Sequence, residues 1–317
     1  MSATTPTARL ARACVLATCA LALAVGSARG QEPRPLVVVT SRDDGPYAGV
    51  VEGAQAALAA SGRANAVRVH SLQSGGDAAL QALLGARKAG DAPLITVGSS
   101  ATRAALEAPG NAPVIACMST DAEELRTARN ATGVVLEFSM ETQLRWISRF
   151  VPDSQAIGVL YNPVENQARI AEARKIAQRL GLRLVAREVH RPQDLPGALE
   201  SLAREADVLL AVTDQMVLSP QTTQAILLFS FRNRMPFSGL SASWVKAGAL
   251  YALERDYPDL GAQCAEMALE VLNGRAASSI PPAKPRKIVY AVNVRTAEQL
   301  KLRLPPELVA GAAEVYR

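Results

Sequence analysis

The sequence predicts an α/β protein of two lobes, each a parallel sheet flanked by helices. Three observations predict it. Short apolar strands recur along the chain, at Leu36–Val39, Leu94–Val97, Val114–Cys117, Ile157–Tyr161 and Val208–Val212. Each runs into a short polar loop, and a helical stretch follows in nearly every case. Strand-then-helix repetition needs parallel crossovers, which cover both faces of a sheet. Finally, 317 residues with 49% apolar side chains supply enough for two cores of ordinary size.

Residues 1–30 read as an export signal. Arg9 and Arg12 form a basic start, and Ala13–Val25 is an apolar run too short to span a bilayer. Ala28-Arg29-Gly30 gives a small-x-small cleavage site, so the mature chain is expected to begin at Gln31. Leu16-Ala17-Thr18-Cys19 has the outline of a bacterial lipobox. Thr before the Cys and the short run upstream argue against a lipid anchor. No later segment reaches 18 unbroken apolar residues, so a soluble periplasmic protein is expected. The formal charge of +5 partly reports the signal, which carries three arginines and no acid. No basic run with interleaved aromatics follows, so nucleic acid is not implied. Cys14 and Cys19 leave with the signal. Cys117 falls in a predicted strand and Cys264 in a predicted helix. Two small buried residues or a disulfide both fit, and sequence alone does not bring the two together.

The elements follow in order. Strand one ends at Thr40, and the loop Ser41–Pro46 precedes a helix over Ala48–Ala60, with Val50, Val51, Ala54, Ala57 and Leu58 at helical spacing. Ala66–His70 is a strand, Ala78–Ala89 a helix, and Leu94–Val97 a strand meeting Gly98-Ser99-Ser100 before a helix from about Ala101. Val114–Cys117 meets Met118–Asp121, and Thr132–Phe138 leads into the second lobe. There Met140–Phe150 is a helix stopped by Val151-Pro152. Ile157–Tyr161 is followed by the loop Asn162–Asn166, then by a helix from Gln167 to Leu180 ended at Gly181. Leu182–Glu188, Val208–Val212 and Pro236–Gly239 are strands, and Pro196–Arg204 and Pro220–Arg232 are helices. Ala249–Glu254 reads as a strand, Pro258–Leu272 as a helix, Pro281–Pro285 as a proline-rich crossing and Lys287–Val292 as a final strand. One extra helix and strand fit a chain that crosses between lobes three times.

Several stretches carry a family resemblance. They are Thr213-Asp214-Gln215-Met216-Val217-Leu218-Ser219, Met235-Pro236-Phe237, Val245–Leu250, Asp256-Tyr257 before Gly261, and Ala268–Gly274. The tail adds Val292-Asn293, Leu304–Leu308 and Ala312–Val315, and upstream come Thr132-Gly133-Val134 and Gly158–Pro163 with Glu165-Asn166. Together they resemble the type I periplasmic binding proteins of ABC importers, in the branch linked to tryptophan, tyrosine and phenylalanine uptake. The resemblance implies two Rossmann-like lobes joined by three crossing segments. Carried onto this chain, the lobes are 31–137 with 254–284 and 138–253 with 285–317. It also implies a receptor that closes on a small ligand, an amino acid with aromatic ones favoured or a related carboxylate. The partner would be an inner-membrane permease; the alternative is a sensor presenting the closed clamp to a membrane kinase. A monomer without cofactor is expected. Three loops depart from the family pattern: Ser41–Tyr47 lacks the usual His, Gln167 stands where Ser is usual, and Thr120-Asp121-Ala122 replaces an Asp-Pro.

Ligands of open α/β sheets bind at the C-terminal strand ends, which nominates the candidates. Ser99, Ser100 and Thr102 open a helix, where hydroxyls and N–H groups can hold a carboxylate or can simply cap the helix. Asp214 can accept an ammonium group or cap a turn. Glu165 and Asn166 fit ligand contact and solvated turn alike. Asp43, Asp44 and Tyr47 can reach in from the first lobe, although Asp-Asp before Gly-Pro is also turn chemistry. Ser119, Thr120 and Ser241 complete the set. No metal site is expected. Neither His70 nor His190 has a ligand-spaced partner, and no nucleophile elbow or phosphate loop occurs, which argues against an enzyme.

Overall fold

A computed structural model describes residues 35–317 apart from 63–66, 91 and 121, and apart from the side chains of 220 and 221. The expected export signal, residues 1–30, lies outside these residues. The chain forms two sheets. The first has the strands β1 (Leu36–Thr40), β2 (Val67–Ser71), β3 (Leu94–Val97), β4 (Val114–Ser119) and β5 (Ala131–Val135), in the order β2-β1-β3-β4-β5, all parallel. The second has β6 (Ala156–Tyr161), β7 (Arg183–Glu188), β8 (Val208–Leu210), β9 (Phe237–Gly239), β10 (Tyr251–Arg255), β11 (Ile288–Asn293) and β12 (Glu314–Tyr316). Its order is β12-β11-β10-β9-β8-β6-β7, and only the β10–β11 pair is antiparallel. Central strands such as β4 and β6 are buried along their whole length, as strands covered on both faces must be.

Among the described residues there are twelve α-helices, with two features that matter for the site. In the first lobe, α1 (Pro46–Ala60) starts two residues earlier than its periodicity suggests, because Pro46 suits the first helical turn. Next, α2 (Leu72–Ala89) begins six residues early. The Ser71 hydroxyl accepts from the N–H groups of Gln73 and Ser74, and the helix continues through a kink at Gly76 that reads in sequence as a break. After it come α3 (Ser99–Glu107), flush against Gly98, and α4 (Ala122–Thr127), which the sequence reading leaves out.

In the second lobe, α5 (Met140–Phe150) matches its expected bounds. Then α6 (Pro163–Arg179) starts four residues early, capped by the Asn162 side chain on the Val164 N–H. This corrects the expected loop: Glu165 and Asn166 lie in the first turn of a helix. The remainder are α7 (Leu195–Ala203), α8 (Pro220–Arg232), α9 (Ala242–Lys246), α10 (Tyr257–Leu272), α11 (Val294–Gln299) and α12 (Pro306–Ala310). The short α9, α11, α12 and β12 carry too few periodic residues to be read from sequence. Among the described residues no helix is long and apolar enough to cross a membrane.

The chain passes between the sheets after β5, after β10 and again before β11. The second passage lies at Asp256, because β10 runs on to Arg255 beside Ile288. It delivers α10 to the first sheet, where Leu260, Cys264 and Ala268 join Val50, Ala54 and Leu58 in one core. The two helices touch backbone to backbone. A Cβ on Gly53 would lie 1.9 Å from the Pro258 carbonyl oxygen, and one on Gly261 would lie 1.9 Å from that of Val50. Cys117 of β4 and Cys264 of α10 form a disulfide with Cα atoms 6.1 Å apart, both fully buried. The disulfide staples the first lobe across 147 residues of chain. The third passage adds an edge to the first sheet: the Val135 N–H donates to Ala283, and the Ala283 N–H donates to Gly133. Arg255 Nε donates to the Leu136 carbonyl at 2.8 Å, and Lys287 pairs with Asp256. The three passages are therefore bonded to one another.

Candidate functional site

Both sheets reverse their strand order in the same way, the first between β1 and β3 and the second between β6 and β8. Such a reversal opens a crevice at the C-terminal strand ends. In the first lobe the crevice is flanked by the loop after Thr40 and by the start of α3. The Ser41 hydroxyl, 2.9 Å away, accepts the Ala101 N–H and so ties the two sides together. Gly98 holds φ at +90°, and a Cβ there would lie 2.6 Å from the Tyr47 ring and 2.8 Å from Ser41 Oγ. Only glycine lets the aromatic ring and the hydroxyl approach this turn so closely. Ser99 and Ser100 stand exposed at the helix start. Among the described residues no acceptor engages their N–H groups, and the Ser99 hydroxyl reaches Thr120 only at 3.4 Å. Tyr47 is half-buried beside them.

Two first-lobe candidates lie elsewhere. Thr102 is buried, its hydroxyl bonded to that of Thr96 at 2.9 Å; it packs the helix onto the sheet instead of facing solvent. Ser119 is buried at the end of β4, after Met118 turns the strand with φ at 60°. Asp43 and Asp44 are exposed. The Arg42 guanidinium grips the Asp44 carboxylate at 3.0 Å. That bond holds the Asp44 carboxyl below its ordinary range, against an opposing effect of burial. The Asp43 N–H donates to Gln73 Oε1.

The second-lobe crevice is built by charge. Asp214 is 3% exposed and Asn166 4%. One Asp214 oxygen accepts the Asn162 N–H at 2.6 Å and the Asn166 amide at 2.9 Å; the other accepts the N–H groups of Met216 at 3.1 Å and Val217 at 2.8 Å. Asn166 also donates to the Thr213 carbonyl, and Glu165 accepts the Gln215 N–H at 3.0 Å. A buried carboxylate demands such donors. Asp214 and Asn166 therefore hold the loops after β6 and β8 together from inside, and the exposed Glu165 adds one bond to the Gln215 N–H. Gln167, the departure from the family pattern, bonds the Tyr161 hydroxyl at 3.0 Å. Ser241 caps α9, with its hydroxyl 2.7 Å from that of Ser243.

The side chains that do line the second-lobe strand ends are others. A hollow of about 50 Å³ is bounded by Glu137, Phe138, Arg169, Thr213, Ser238 and Arg255. The Arg255 guanidinium lies 4.6 Å above the Phe138 ring, a cation–π contact, and Arg169 pairs with Glu137. A second recess, about 340 Å³, places Pro46 and Tyr257 of the first lobe opposite Glu254 and Arg255. Arg255 is thus the cation shared by the hollow and the interlobe recess. Sequence reasoning missed it by ending the strand at Glu254. Its signal was there: an arginine at a strand's C-terminal end, directly before a helix-capping Asp256. A larger cavity, about 810 Å³, lies apart, on the flank of the second lobe. Among the described residues no cluster of three metal-ligating side chains occurs.

The comparisons agree with this architecture. A curated relative, a tyrosine-binding protein of Clostridioides difficile strain R20291, is 23% identical over 219 residues. That match spans 66% of this chain and 63% of the relative's length. Among solved structures, the ligand-free, open form of a substrate binding protein with adhesive properties from Clostridium difficile superposes with a TM-score of 0.72 at 19% identity. It covers 89% of this chain and 99% of that one. An ABC domain from Streptococcus pneumonia in complex with L-Trp superposes with a TM-score of 0.57 at 19% identity, covering 90% and 100%. A conserved domain protein from Vibrio cholerae gives 0.57 at 22% identity, covering 90% and 100%. The family model described as ABC transporter substrate binding protein matches residues 37–316, and the chain belongs to that family.

Proposed function

We propose that the protein is the periplasmic receptor of an ABC importer, that it binds an amino acid or related small carboxylate, and that an aromatic amino acid is the first candidate. One observation carries the reading. An exposed hydroxyl-rich helix start in one lobe and an arginine shared with the interlobe recess stand at the strand ends of two sheets with the same strand reversal. In this reading Ser99, Ser100 and the N–H groups at the head of α3 receive the ligand carboxylate. Tyr47 packs on the apolar body. Thr213, Ser238 and Arg255 close from the second lobe, with Asp43, Asp44, Thr120 and Ser241 at the rim. Asp214, Glu165 and Asn166 keep the second wall in shape. The tyrosine-binding relative supports the ligand class.

Residues 35–137 with 256–284 would move as one body and 138–255 with 285–317 as the other. Ligand affinity for the closed arrangement would shift the balance between open and closed. The closed clamp would be read by a membrane permease, and the ligand would be released chemically unchanged. The test is small-angle scattering and a thermal-shift panel on mature chain refolded to remove carried-over ligand. Tyrosine, phenylalanine or tryptophan at about 100 times its dissociation constant should raise stability by about 2.7 kcal/mol and reduce the radius of gyration. An unchanged radius at saturation defeats the clamp. A shift confined to non-aromatic carboxylates keeps the clamp and replaces the ligand.

A further inference from the structure

The 810 Å³ cavity on the second lobe has the size of a ligand pocket. Its lining comes from one side of the thirteen-residue α8, from the end of the five-residue α9 and from α11. Thr222, Ile226 and Ser230 point inward and are buried. Leu227, Leu228 and Phe231, at i, i+1 and i+4, line the cavity, where Leu228 is 46% exposed and Phe231 53%. A helix apolar on both sides has two faces to cover, and clustered exposed apolar side chains mark binding surfaces. Trp244, packed edge-on against Phe237, forms part of the opposite wall.

The charge around the cavity is one-sided. Lys246, at the end of α9, and Arg295, in α11, both line it and both are exposed. Neither has an ion-pair partner among the described residues, and no acidic side chain is among those lining the cavity. Elsewhere arginines of this lobe do find carboxylates, as Arg187 finds Glu205 and Arg145 finds Glu141. An apolar trough with two unpaired cations matches one class of small molecule.

We propose that this trough is a second binding site, separate from the interlobe recess, for an amphipathic anion: an alkyl or aryl body on Leu227, Leu228, Phe231 and Trp244, with a carboxylate or sulfonate held by Lys246 and Arg295. The probe is decanoate, below its micellar range, titrated calorimetrically into the mature chain and followed by Trp244 fluorescence. Saturable one-to-one binding is expected. Lys246→Glu with Arg295→Glu should weaken it about tenfold or more, the combined scale of two exposed charge contacts reversed. Phe231→Gln should weaken it as well. All three positions are exposed, so the thermal midpoint should hold and report intact folding. Trp244→Phe should remove the optical signal while the calorimetric binding persists. Equal affinity for decyltrimethylammonium, absence of saturable binding, or indifference to the charge reversals each overturns the proposal. So does a sedimenting dimer that Phe231→Gln abolishes without any decanoate binding, which would give the face to a second copy of the chain.

Discussion

The two strand reversals perform the same task with different chemistry. In the first lobe a neutral hydroxyl, Ser41, ties the loop after β1 to α3 through one hydrogen bond. In the second lobe a buried carboxylate, Asp214, ties the loops after β6 and β8 through four N–H donors. The neutral tie leaves Ser99 and Ser100 exposed for an outside partner. The charged tie engages both Asp214 oxygens internally. A carboxylate at a strand end is therefore as much a sign of internal loop closure as of ligand binding, and burial tells the two apart.

The asymmetry extends to the cores. Among the described residues only the first lobe carries a covalent staple, and Cys264→Ser should show it with the largest effect. The loop-closure entropy of a cross-link of this span is about 4–5 kcal/mol, read as a lower urea midpoint. A drop much below that would mean the α1–α10 contact at Gly53 and Gly261 already closes the lobe unaided. Asp214→Ala comes next. It strands buried donors and should lower unfolding stability by about 3 kcal/mol. A stable Asp214→Ala protein that has lost only tyrosine affinity would erase the contrast between the two reversals. Gly98→Ala forces a Cβ against Tyr47 and Ser41 at positive φ. It should cost about 2 kcal/mol and spoil the first-lobe site.

Smaller effects sharpen the comparison. Ser99→Ala with Ser100→Ala should move stability by less than about 0.5 kcal/mol yet weaken tyrosine binding roughly tenfold, about 1.4 kcal/mol. The smallest effect belongs to Glu254. Burial lifts its carboxyl above the ordinary glutamate range, opposed by the Ala242 N–H it accepts at 2.7 Å. The folded chain then holds a proton that the unfolded chain has released. Stability contributed by that proton is present below the unfolded value and fades as pH rises through the folded one. Glu254→Gln should flatten this decline, and a denaturation series across pH checks it. An unchanged slope would place the titration elsewhere.

Much of this was legible in the residues. The apolar strands β1, β3, β4, β6 and β8 and the α5 helix follow from periodicity. The early starts of α2 and α6 were hidden, because Ser71 and Asn162 act as caps only once their side chains turn back onto the backbone. The fate of Asp214 was hidden too, since its donors come from positions 162, 166, 216 and 217 and the tie appears only when β6 and β8 are neighbours. Arg255 sits at a passage between lobes, where a strand end and a helix cap share three residues and neither pattern is long enough to read.

The late placement of α10 has a consequence for synthesis. All five strands of the first sheet have been made by residue 135, but the helix that packs on α1 is not finished until Leu272. The second sheet in turn awaits β11 and β12, at residues 288–316. Neither lobe can complete its core while more than a short tail remains unmade, and the cysteine in β4 must wait for a partner 147 residues behind it. Long-range contacts of this kind slow folding and push it toward the end of synthesis. In the periplasmic reading proposed above, the chain would cross a membrane before it folds, and that delay would be an advantage written into the order of its elements.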